Sequence, residues 1–275
     1  MTHFHFEPFP ALLEYIDSIY IIDIDFSVEL TLSPIYTFVP THTRFLCFYL
    51  HDQVKVKKEE GFVAKAESVI IGPQLNPVTL DLGKRHHTII VSLKPCGMYR
   101  LLGISMDEIV DKDFDARLVM GKEIDELIDR LKEAKTNYQK NQIVQGYLLL
   151  KLPRLKPALP FDRAMLHLVH ANGNLTVDQV ASQSCVSTRQ FERVCLERIG
   201  LSPKLYARMV RFSYAYKLKE IYPQMPWSQI SYMCGYFDQT HFIRDFKQFA
   251  KFTPGHLSEE DITSSVRFQA LQLSS

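Results

Sequence analysis

Short apolar and alternating runs, separated by turn residues, fill the chain from residue 35 to residue 94. They recur at intervals of roughly 8–12 residues, a spacing typical of an antiparallel barrel or sandwich rather than of βαβ units. Pro40, the pair Gly72-Pro73 and Gly83 supply the breaks. The predicted strands are 35–39, 44–50, 54–56, 62–64, 69–71, 78–82 and 88–93.

After Pro95 the apolar positions follow a helical period. A short helix is predicted at 97–102. The segment 122–134 then places Ile124, Leu127, Ile128 and Leu131 on one face, at the i, i+3, i+4, i+7 spacing of an amphipathic helix. A second helix is predicted at 139–152. This helical pair either covers the core of the β domain or forms a dimerisation surface.

A proline-rich stretch, 153–160, follows the helical pair and holds three prolines. Each proline lacks a backbone donor and biases the residue before it away from helix, so we predict a linker. The predicted domains are a β-rich domain with helices at its end (1–152), the linker, and an all-helical domain (161–258). A tail (259–275) follows, and the predicted fold class is α+β.

Capping signals divide the helical domain into segments. Two of them, Thr176 with Gln179 and Ser187 with Gln190, have the spacing of capping boxes. The predicted helices are 163–171 capped by Asp162, 177–183 capped by Thr176, 188–199 capped by Ser187 and ended by Gly200, 203–220 opened by Ser202 and Pro203, 226–235, 239–249 capped by Asp238, and a last turn at 253–254.

The same unit therefore occurs twice, at 176–199 and 226–249: a short helix, a tight turn and a longer helix. A helix-turn-helix of this size reads DNA by placing its second helix in the major groove. Each second helix has a predicted buried stripe and a polar outer face. The stripes are Phe191, Val194, Cys195 and Ile199 in the first unit, and Phe242, Phe246 and Phe249 in the second.

The outer faces carry the residue types that read base edges. Arginine suits guanine, glutamine suits adenine, glutamate accepts from cytosine and threonine meets the thymine methyl. Any amphipathic helix has polar residues outside, so one such helix would say little. Two of them in the same context, within the basic part of the chain, favour DNA binding.

Residues 161–257 resemble the DNA-binding domain of the AraC/XylS family of bacterial transcription regulators. The first matching motif is Ala181-x-x-Ser184…Ser187-x-Arg189-x-Phe191-x-Arg193…Gly200-Leu-Ser-Pro203-x-x-Tyr206-x-Arg208-x-x-Arg211. The second is Ile230-x-x-Met233-x-Gly235-Tyr236-x-Asp238-Gln239-x-His241-Phe242-x-Arg244-x-Phe246-Lys247…Thr253-Pro254.

The resemblance implies two helix-turn-helix units, joined by the long helix, that read adjacent major-groove segments of double-stranded promoter or operator DNA. It makes the base-contacting residues Arg189, Glu192 and Arg193 in the first unit, and Gln239, Thr240, His241 and Arg244 in the second. The residues expected to hold phosphates or to position the helices are Thr188, Gln190, Arg211 and Lys247.

Three positions depart from the family pattern. Cys185 stands in the first turn where the family usually has glycine, and Trp227 and Ser231 replace an aliphatic residue and alanine in the second unit. Trp227 is interpreted as a core anchor. Glu192 either reads a base or pairs with Arg189 or Arg193 in the free protein.

The first domain resembles, more loosely, the amino-terminal β domains of the same family, so a cupin-like barrel or sandwich is expected. The carrying motif includes Pro95, Gly97 and the run 101–103, Leu-Leu-Gly. Such domains sense a small molecule, dimerise, or both. An effector of unidentified chemistry, a homodimer and, for an activator, RNA polymerase are the expected partners. Aromatic side chains line a ligand cavity or fill the barrel, and the candidates for ligand contact are Tyr36, Phe38 and Phe48.

Charge supports the same division. Residues 161–258 carry 12 Lys and Arg against 7 Asp and Glu, a net charge of +5, while 1–160 and 259–275 each carry −2, so the chain totals +1. A basic segment beside an acidic one is expected when one domain meets a polyanion. The five widely spaced cysteines, and a start without a basic and apolar leader, predict a cytoplasmic protein with reduced thiols.

An enzyme is the main alternative for the first domain, either as a metal-dependent cupin-type domain or through a nucleophilic thiol. A metal site needs three or four converging ligands, and the histidines lack barrel-like ligand spacing. Cys96 has no identifiable base beside it. We therefore predict no enzymatic activity, no metal and no cofactor. A DNA-associated scaffold without a small ligand is the third class. The histidines considered are His3, His5, His42, His51, His86, His87, His167 and His170.

Overall fold

A computed structural model of the chain describes residues 1–257. Within that range the strands are β1 (Thr2–Phe6), β2 (Ile16–Asp25), β3 (Ile35–Phe38), β4 (Arg44–Tyr49), β5 (Lys55–Lys58), β6 (Gly61–Ala64), β7 (Ser68–Ile71), β8 (Val78–Asp81), β9 (Arg85–Leu93) and β10 (Asp113–Asp115). The α-helices are α1 (Gly97–Leu102), α2 (Arg117–Met120), α3 (Glu123–Glu133), α4 (Asn137–Leu149), α5 (Pro160–His170), α6 (Val177–Gln183), α7 (Thr188–Ile199), α8 (Pro203–Ile221), α9 (Trp227–Met233) and α10 (Gln239–Ala250).

The strands form two antiparallel sheets, which confirms the predicted class of the first domain. A six-stranded sheet has the order β1-β2-β9-β4-β7-β10, and a four-stranded sheet has the order β3-β8-β5-β6. All the strand pairs are antiparallel. The α+β prediction, with a β-rich first domain and a helical second domain, holds.

The sheet begins earlier than predicted, because β1 and β2 precede residue 35. Strand β2 is ten residues long and has buried residues on both faces, so its central run 19–22 is continuously apolar and the strand lacks a clear alternation. Ile19 and Ile21 enter the core on the helix side of the sheet, while Ile22 and Ile24 enter the core between the sheets. The three-residue strand β10 was also not predicted.

Helices α3 and α4 cover the outer face of the six-stranded sheet. Their apolar residues, including Ile124, Leu131 and Leu148, share one core with Ile19 and Phe48. Thr136 caps α4 in both directions: its hydroxyl accepts from the Gln139 amide, and the Gln139 side chain accepts from the Thr136 amide. The predicted amphipathic stripe is therefore a core face.

The helical domain follows most of the capping signals. Thr176 forms both halves of its box with Gln179, whereas Ser187 accepts from the Gln190 amide without the reciprocal bond. The prediction that Asp162 caps the first helix is wrong. Helix α5 begins at Pro160, and proline is well suited to a first helical position. Asp162 instead lies in the first turn, where its carboxylate accepts from the Leu159 amide at 3.0 Å.

An aromatic core holds the two helix-turn-helix units on α8. The Phe212 ring packs against Phe246 and Phe249 at centroid distances of 5.4 and 5.2 Å, and Trp227 packs on Phe242 and Phe246. Gly173, at a φ of +76°, lets the turn after α5 approach α8 closely, since a Cβ there would lie 2.3 Å from the Ala207 carbonyl oxygen.

No helix among residues 1–257 is long and apolar enough to cross a membrane. The predicted tail 259–275, and the predicted end of the helical domain at 258, lie outside the described residues.

Candidate nucleic-acid interface and inter-sheet cavity

Helix α7 presents one buried and one exposed face, as an element that reads DNA must. Phe191, Cys195 and Ile199 are buried in the helical core. Thr188, Arg189, Gln190, Glu192 and Arg193 all lie exposed along the other face. No ion pair within residues 1–257 joins Glu192 to Arg189 or Arg193, so the three side chains are open to a ligand.

Helix α10 repeats the arrangement. Its buried residues are Phe242, Phe246 and Phe249, and its exposed residues include Gln239, Thr240, His241, Arg244 and Lys247. Asp238 caps the helix by accepting from the His241 amide at 2.8 Å. The exposed polar residues of α10 therefore project from a helix whose first turn is fixed.

Helix α8 joins the two units. Its 19 residues span about 28 Å at 1.5 Å per residue. Arg208 on α8 braces α10, since it donates to the Asp245 carboxylate at 2.6 and 2.9 Å and to Gln248 at 2.5 Å. This bond directs Gln248 toward α8 rather than to the exposed face of α10.

Arg211 on α8 makes contacts inside the domain. Its Nη2 donates to the Gly173 carbonyl oxygen at 2.9 Å, and its guanidinium lies over the Tyr236 ring at 5.3 Å. These contacts favour the positioning role over the phosphate-binding role that was suggested alongside it.

Arg198, at the end of α7, ties the domain to the proline-rich stretch 153–160. Its Nη1 lies 2.6 and 2.7 Å from the two carboxylate oxygens of Asp162, and its Nη2 donates to the Pro157 carbonyl oxygen at 3.1 Å. The guanidinium also lies 4.7 Å from the centre of the Tyr99 ring in the first domain. Arg198 is therefore shared by both domains and the stretch that joins them.

Residues 39–44, here called the coupling segment, join the first domain to the helical one. The His42 amide donates to the Ser213 hydroxyl at 3.2 Å, and the Tyr206 hydroxyl donates to the His42 carbonyl oxygen at 3.5 Å. The buried Arg44 donates to the Ile199 carbonyl oxygen at 3.4 Å. The coupling segment thus contacts the end of one recognition helix and the middle of α8.

A cavity of about 120 Å³ lies between the two sheets. Its wall is mostly apolar and includes Val39, Pro40, Thr41 and Thr43 of the coupling segment. Of the three ligand candidates, only Phe38 lines it. Phe48 is a correction: it belongs to the core on the helix side, because alternation along β4 turns Phe45, Cys47 and Tyr49 to the cavity instead.

Tyr36 is also a correction, since it is absent from the cavity wall. Its ring packs edge-on against Phe38 at 4.5 Å, and its hydroxyl donates to the Glu220 carboxylate on α8 at 3.1 Å. Both side chains are buried. Tyr36 therefore links the domains rather than meeting a ligand in the cavity.

The polar groups of the cavity are held in uncharged or paired states. Burial lowers the pKa of His86 to about 4, so the imidazole is neutral at pH 7. Burial raises the pKa of the Cys47 thiol to about 12 and that of the Tyr49 hydroxyl well above its usual value. Lys65, whose side chain is 5% exposed, forms an ion pair with Asp113.

No group of three or more His, Cys, Asp or Glu side chains that could hold a metal ion occurs in the described residues. The five cysteines are free thiols. Burial, followed by the effect of Asp162, raises the pKa of the Cys96 thiol well above its usual range, so this cysteine is not an activated nucleophile.

The roles that the sequence did not indicate are those of residues that connect elements: Arg198 with Asp162, Arg208 with Asp245, and Tyr36 with Glu220. Each is a polar residue at an otherwise buried helical or strand position. A polar residue at such a position indicates that its side chain has a partner inside the protein, but the sequence does not identify that partner.

Two family patterns match the chain. One, described as a helix-turn-helix domain, covers residues 162–260, and the other, a domain of unknown function (DUF6597), covers residues 4–115. No curated protein matches the chain.

Solved structures of ToxT from Vibrio cholerae are similar in outline. An apo variant from strain SCE256 is 16% identical with a TM-score of 0.48, over 86% of this chain and 96% of ToxT. ToxT from strain O395 is 11% identical with a TM-score of 0.46, over 93% and 97%. Wild-type ToxT with a bound unsaturated fatty acid is 12% identical with a TM-score of 0.47, over 88% and 94%.

The matched helix-turn-helix domain coincides with the part of the chain that contains both recognition helices, the joining helix and the motifs quoted above. The chain therefore carries a helix-turn-helix domain of the AraC/XylS type and is a DNA-binding transcription regulator.

Proposed function

We propose that the chain recognises its operator through the exposed faces of α7 and α10, which read two successive major-groove segments. The observation that carries this is the repeated pair of capped helices, each with a buried apolar stripe and an exposed polar face, held on α8. Arg189, Glu192 and Arg193 read bases in the first segment, and Gln239, Thr240, His241 and Arg244 read the second. Thr188, Gln190 and Lys247 contact phosphates.

Substituting single arginines tests this assignment. Arg193→Ala and Arg244→Ala each remove a side chain able to make two hydrogen bonds to a guanine edge, so each should cost about 1–3 kcal/mol of operator binding and relax base preference at one position. Binding to randomised operator libraries would measure both effects. Arg163→Ala, at an exposed arginine of α5, is the matched control. Equal weakening on every sequence would identify phosphate contacts instead.

We further propose that the inter-sheet cavity is the effector site. Its apolar wall favours an apolar ligand, and a cavity of about 150 Å³ in another protein holds benzene. The ion pair of Lys65 with Asp113 and the neutral His86 leave no unbalanced charge there. An uncharged molecule with a benzene-sized apolar body fits these conditions, whereas a carboxylate would have to compete with Asp113 for Lys65.

Thermal unfolding of the full chain tests the effector site. A neutral alcohol should raise Tm in a concentration-dependent way, and the carboxylate with the same skeleton should not. Ile90→Phe narrows the cavity and should abolish the shift, since Ile90 lines its wall. A shift from the carboxylate alone would contradict the proposed ligand class. A shift that survives Ile90→Phe would place the ligand elsewhere.

The coupling segment supplies a route from effector to DNA. Four of its residues line the cavity, and His42 and Arg44 hydrogen-bond to α8 and to the end of α7. A ligand that moves the cavity wall therefore changes contacts that fix the helical domain. This supports control of DNA binding by the first domain, rather than a scaffold without a ligand.

The remaining partners follow from the same proposal. Tyr138 in the first turn of α4 and Leu150 just after α4 are 65% and 75% exposed, which supports a homodimer through this helix. Sedimentation of the wild type and of Tyr138→Glu, a substitution that should separate the subunits, tests the homodimer.

RNA polymerase is the further partner if the regulator activates transcription. The free thiols support a cytoplasmic location, and the helix-turn-helix domain supports a regulator rather than an enzyme.

A further inference from the structure

The turn between α9 and α10 carries an aromatic side chain that the fold does not use. Phe237 is 91% exposed, the highest value among the large apolar side chains of residues 1–257. Other aromatic residues of this unit pack inward: Tyr236 packs on Phe242 at 5.2 Å, and Trp227 packs on Phe246 at 5.0 Å. Phe237 is therefore not part of the core of this unit.

Its position is at the start of the second recognition helix. Phe237 directly precedes Asp238, the residue that caps α10, and its ring lies 6.4 Å from the ring of His241 in the first turn. The N-terminal residues of a recognition helix are those that approach base edges. Phe237 is thus continuous with the DNA-facing surface formed by Gln239 and Thr240.

The residues around Phe237 indicate that its exposed ring contacts DNA. The exposed polar and basic residues of α10 are Gln239, Thr240, His241, Arg244 and Lys247, and the domain 161–258 carries a net charge of +5. Exposed apolar side chains also occur in this unit, at Tyr232, Met233 and Ile243. A surface that combines basic, polar and apolar side chains suits a polyanion that displays small apolar groups. In the major groove those groups are the 5-methyl groups of thymine, which phenylalanine contacts.

We propose that Phe237 is a specificity-determining residue that selects thymine in the operator segment read by α10, by packing its ring on the thymine 5-methyl group. This inference rests on the proposed DNA-binding mode of α10. Phe237 would then recognise thymine by apolar contact, in addition to the base recognition by hydrogen bonds that is proposed for the other residues of α10.

Replacement of thymine by deoxyuridine tests the contact, because it removes the 5-methyl group and leaves base pairing intact. With the full chain and its footprinted operator, each thymine of the second segment is replaced in turn. Burial of one methyl group predicts that wild type binds about four-fold more weakly at one or two adjacent positions. Phe237→Ala should bind the thymine duplex more weakly and should no longer distinguish thymine from deoxyuridine there.

Two further variants keep the result interpretable. Phe237→Leu retains an apolar side chain and should keep part of the discrimination. Leu30→Ala removes a side chain that is 83% exposed in the first domain, and should discriminate as wild type does. Because Phe237 is so exposed, Phe237→Ala should unfold at the wild-type temperature.

The failure of this inference differs from the failure of the proposed function. If wild type selects an operator but Phe237→Ala discriminates thymine from deoxyuridine as wild type does, only the role of Phe237 is overturned, and the ring is then available to a protein partner. If wild type selects no operator sequence, both proposals fall.

Discussion

The two helix-turn-helix turns share a left-handed position but place different residues there. In each unit the second residue after the short helix has a positive φ: Cys185 at +56° after α6, and Gly235 at +74° after α9. A non-glycine residue in this left-handed region costs about 1–2 kcal/mol, because its Cβ crowds the following carbonyl oxygen. The fold tolerates that cost at Cys185, which is exposed.

Relieving that strain should stabilise the protein. Cys185→Gly removes the Cβ, and after the greater freedom of glycine in the unfolded chain is subtracted, the free energy of unfolding should rise by about 0.5–1 kcal/mol. Urea unfolding measures it. Cys185→Ala keeps the Cβ and should give no gain. Equal stability of the glycine and alanine variants would show that the torsion stores no strain.

Buried polar contacts join pairs of helices that the apolar periodicity of the sequence would join by apolar packing alone. The Arg198–Asp162 pair joins α7 to α5, with side chains only 5% and 10% exposed. Removing one partner of a buried ion pair leaves the other charge buried without a counter-charge. This loss destabilises the folded protein far more than the loss of an exposed pair.

Arg198→Met should therefore lower the free energy of unfolding by about 3–5 kcal/mol, because Asp162 loses its counter-charge. The exposed pair of Lys132 with Glu67 provides the comparison, with side chains 39% and 47% exposed. Lys132→Met should change stability by less than about 1 kcal/mol. Chemical denaturation of both variants measures the two changes in the free energy of unfolding. Similar decreases in the two variants would contradict the larger contribution expected of the buried pair.

Local signals determined how well each element could be predicted. Thr176, Ser187 and Asp238 cap the helices expected of them, since an N-cap bond involves only neighbouring residues. Strand β2 escaped prediction because both of its faces are buried. The exposed faces of α7 and α10 follow from helical periodicity, but the cavity wall depends on which face of β4 meets the second sheet. That is why Phe48 was misassigned.

The molecule holds two histidines in neutral form, the buried His86 and the half-buried His42. Burial, reinforced by Arg44 and Lys217, lowers the pKa of His42 to about 3, and burial lowers the pKa of His86 to about 4. Both groups have an ordinary value of 6.5 in the unfolded chain. Below that pH the unfolded state binds protons that the folded state excludes, so stability is complete above pH 6.5 and falls as the pH drops toward about 4.

Each histidine should contribute up to about 1.4 kcal/mol per pH unit to that loss. Urea unfolding between pH 7.5 and pH 5.0 measures how the free energy of unfolding depends on pH. His42→Gln should make this dependence shallower, because the unfolded variant takes up one proton fewer. An unchanged dependence in the variant would mean that His42 binds its proton equally in the folded and unfolded states, against the lowered pKa that follows from its position between the domains.

A salt series on the full chain would show whether α7 and α10 select an operator. Fragments of the source genome, including the region upstream of the coding sequence, would be titrated against competitor DNA at several salt concentrations. We expect one or a few preferred fragments, with an affinity that falls steeply with salt because Lys and Arg displace counterions from phosphates. Binding without preference for any fragment, or no binding at all, would contradict the assignment of α7 and α10 as recognition helices.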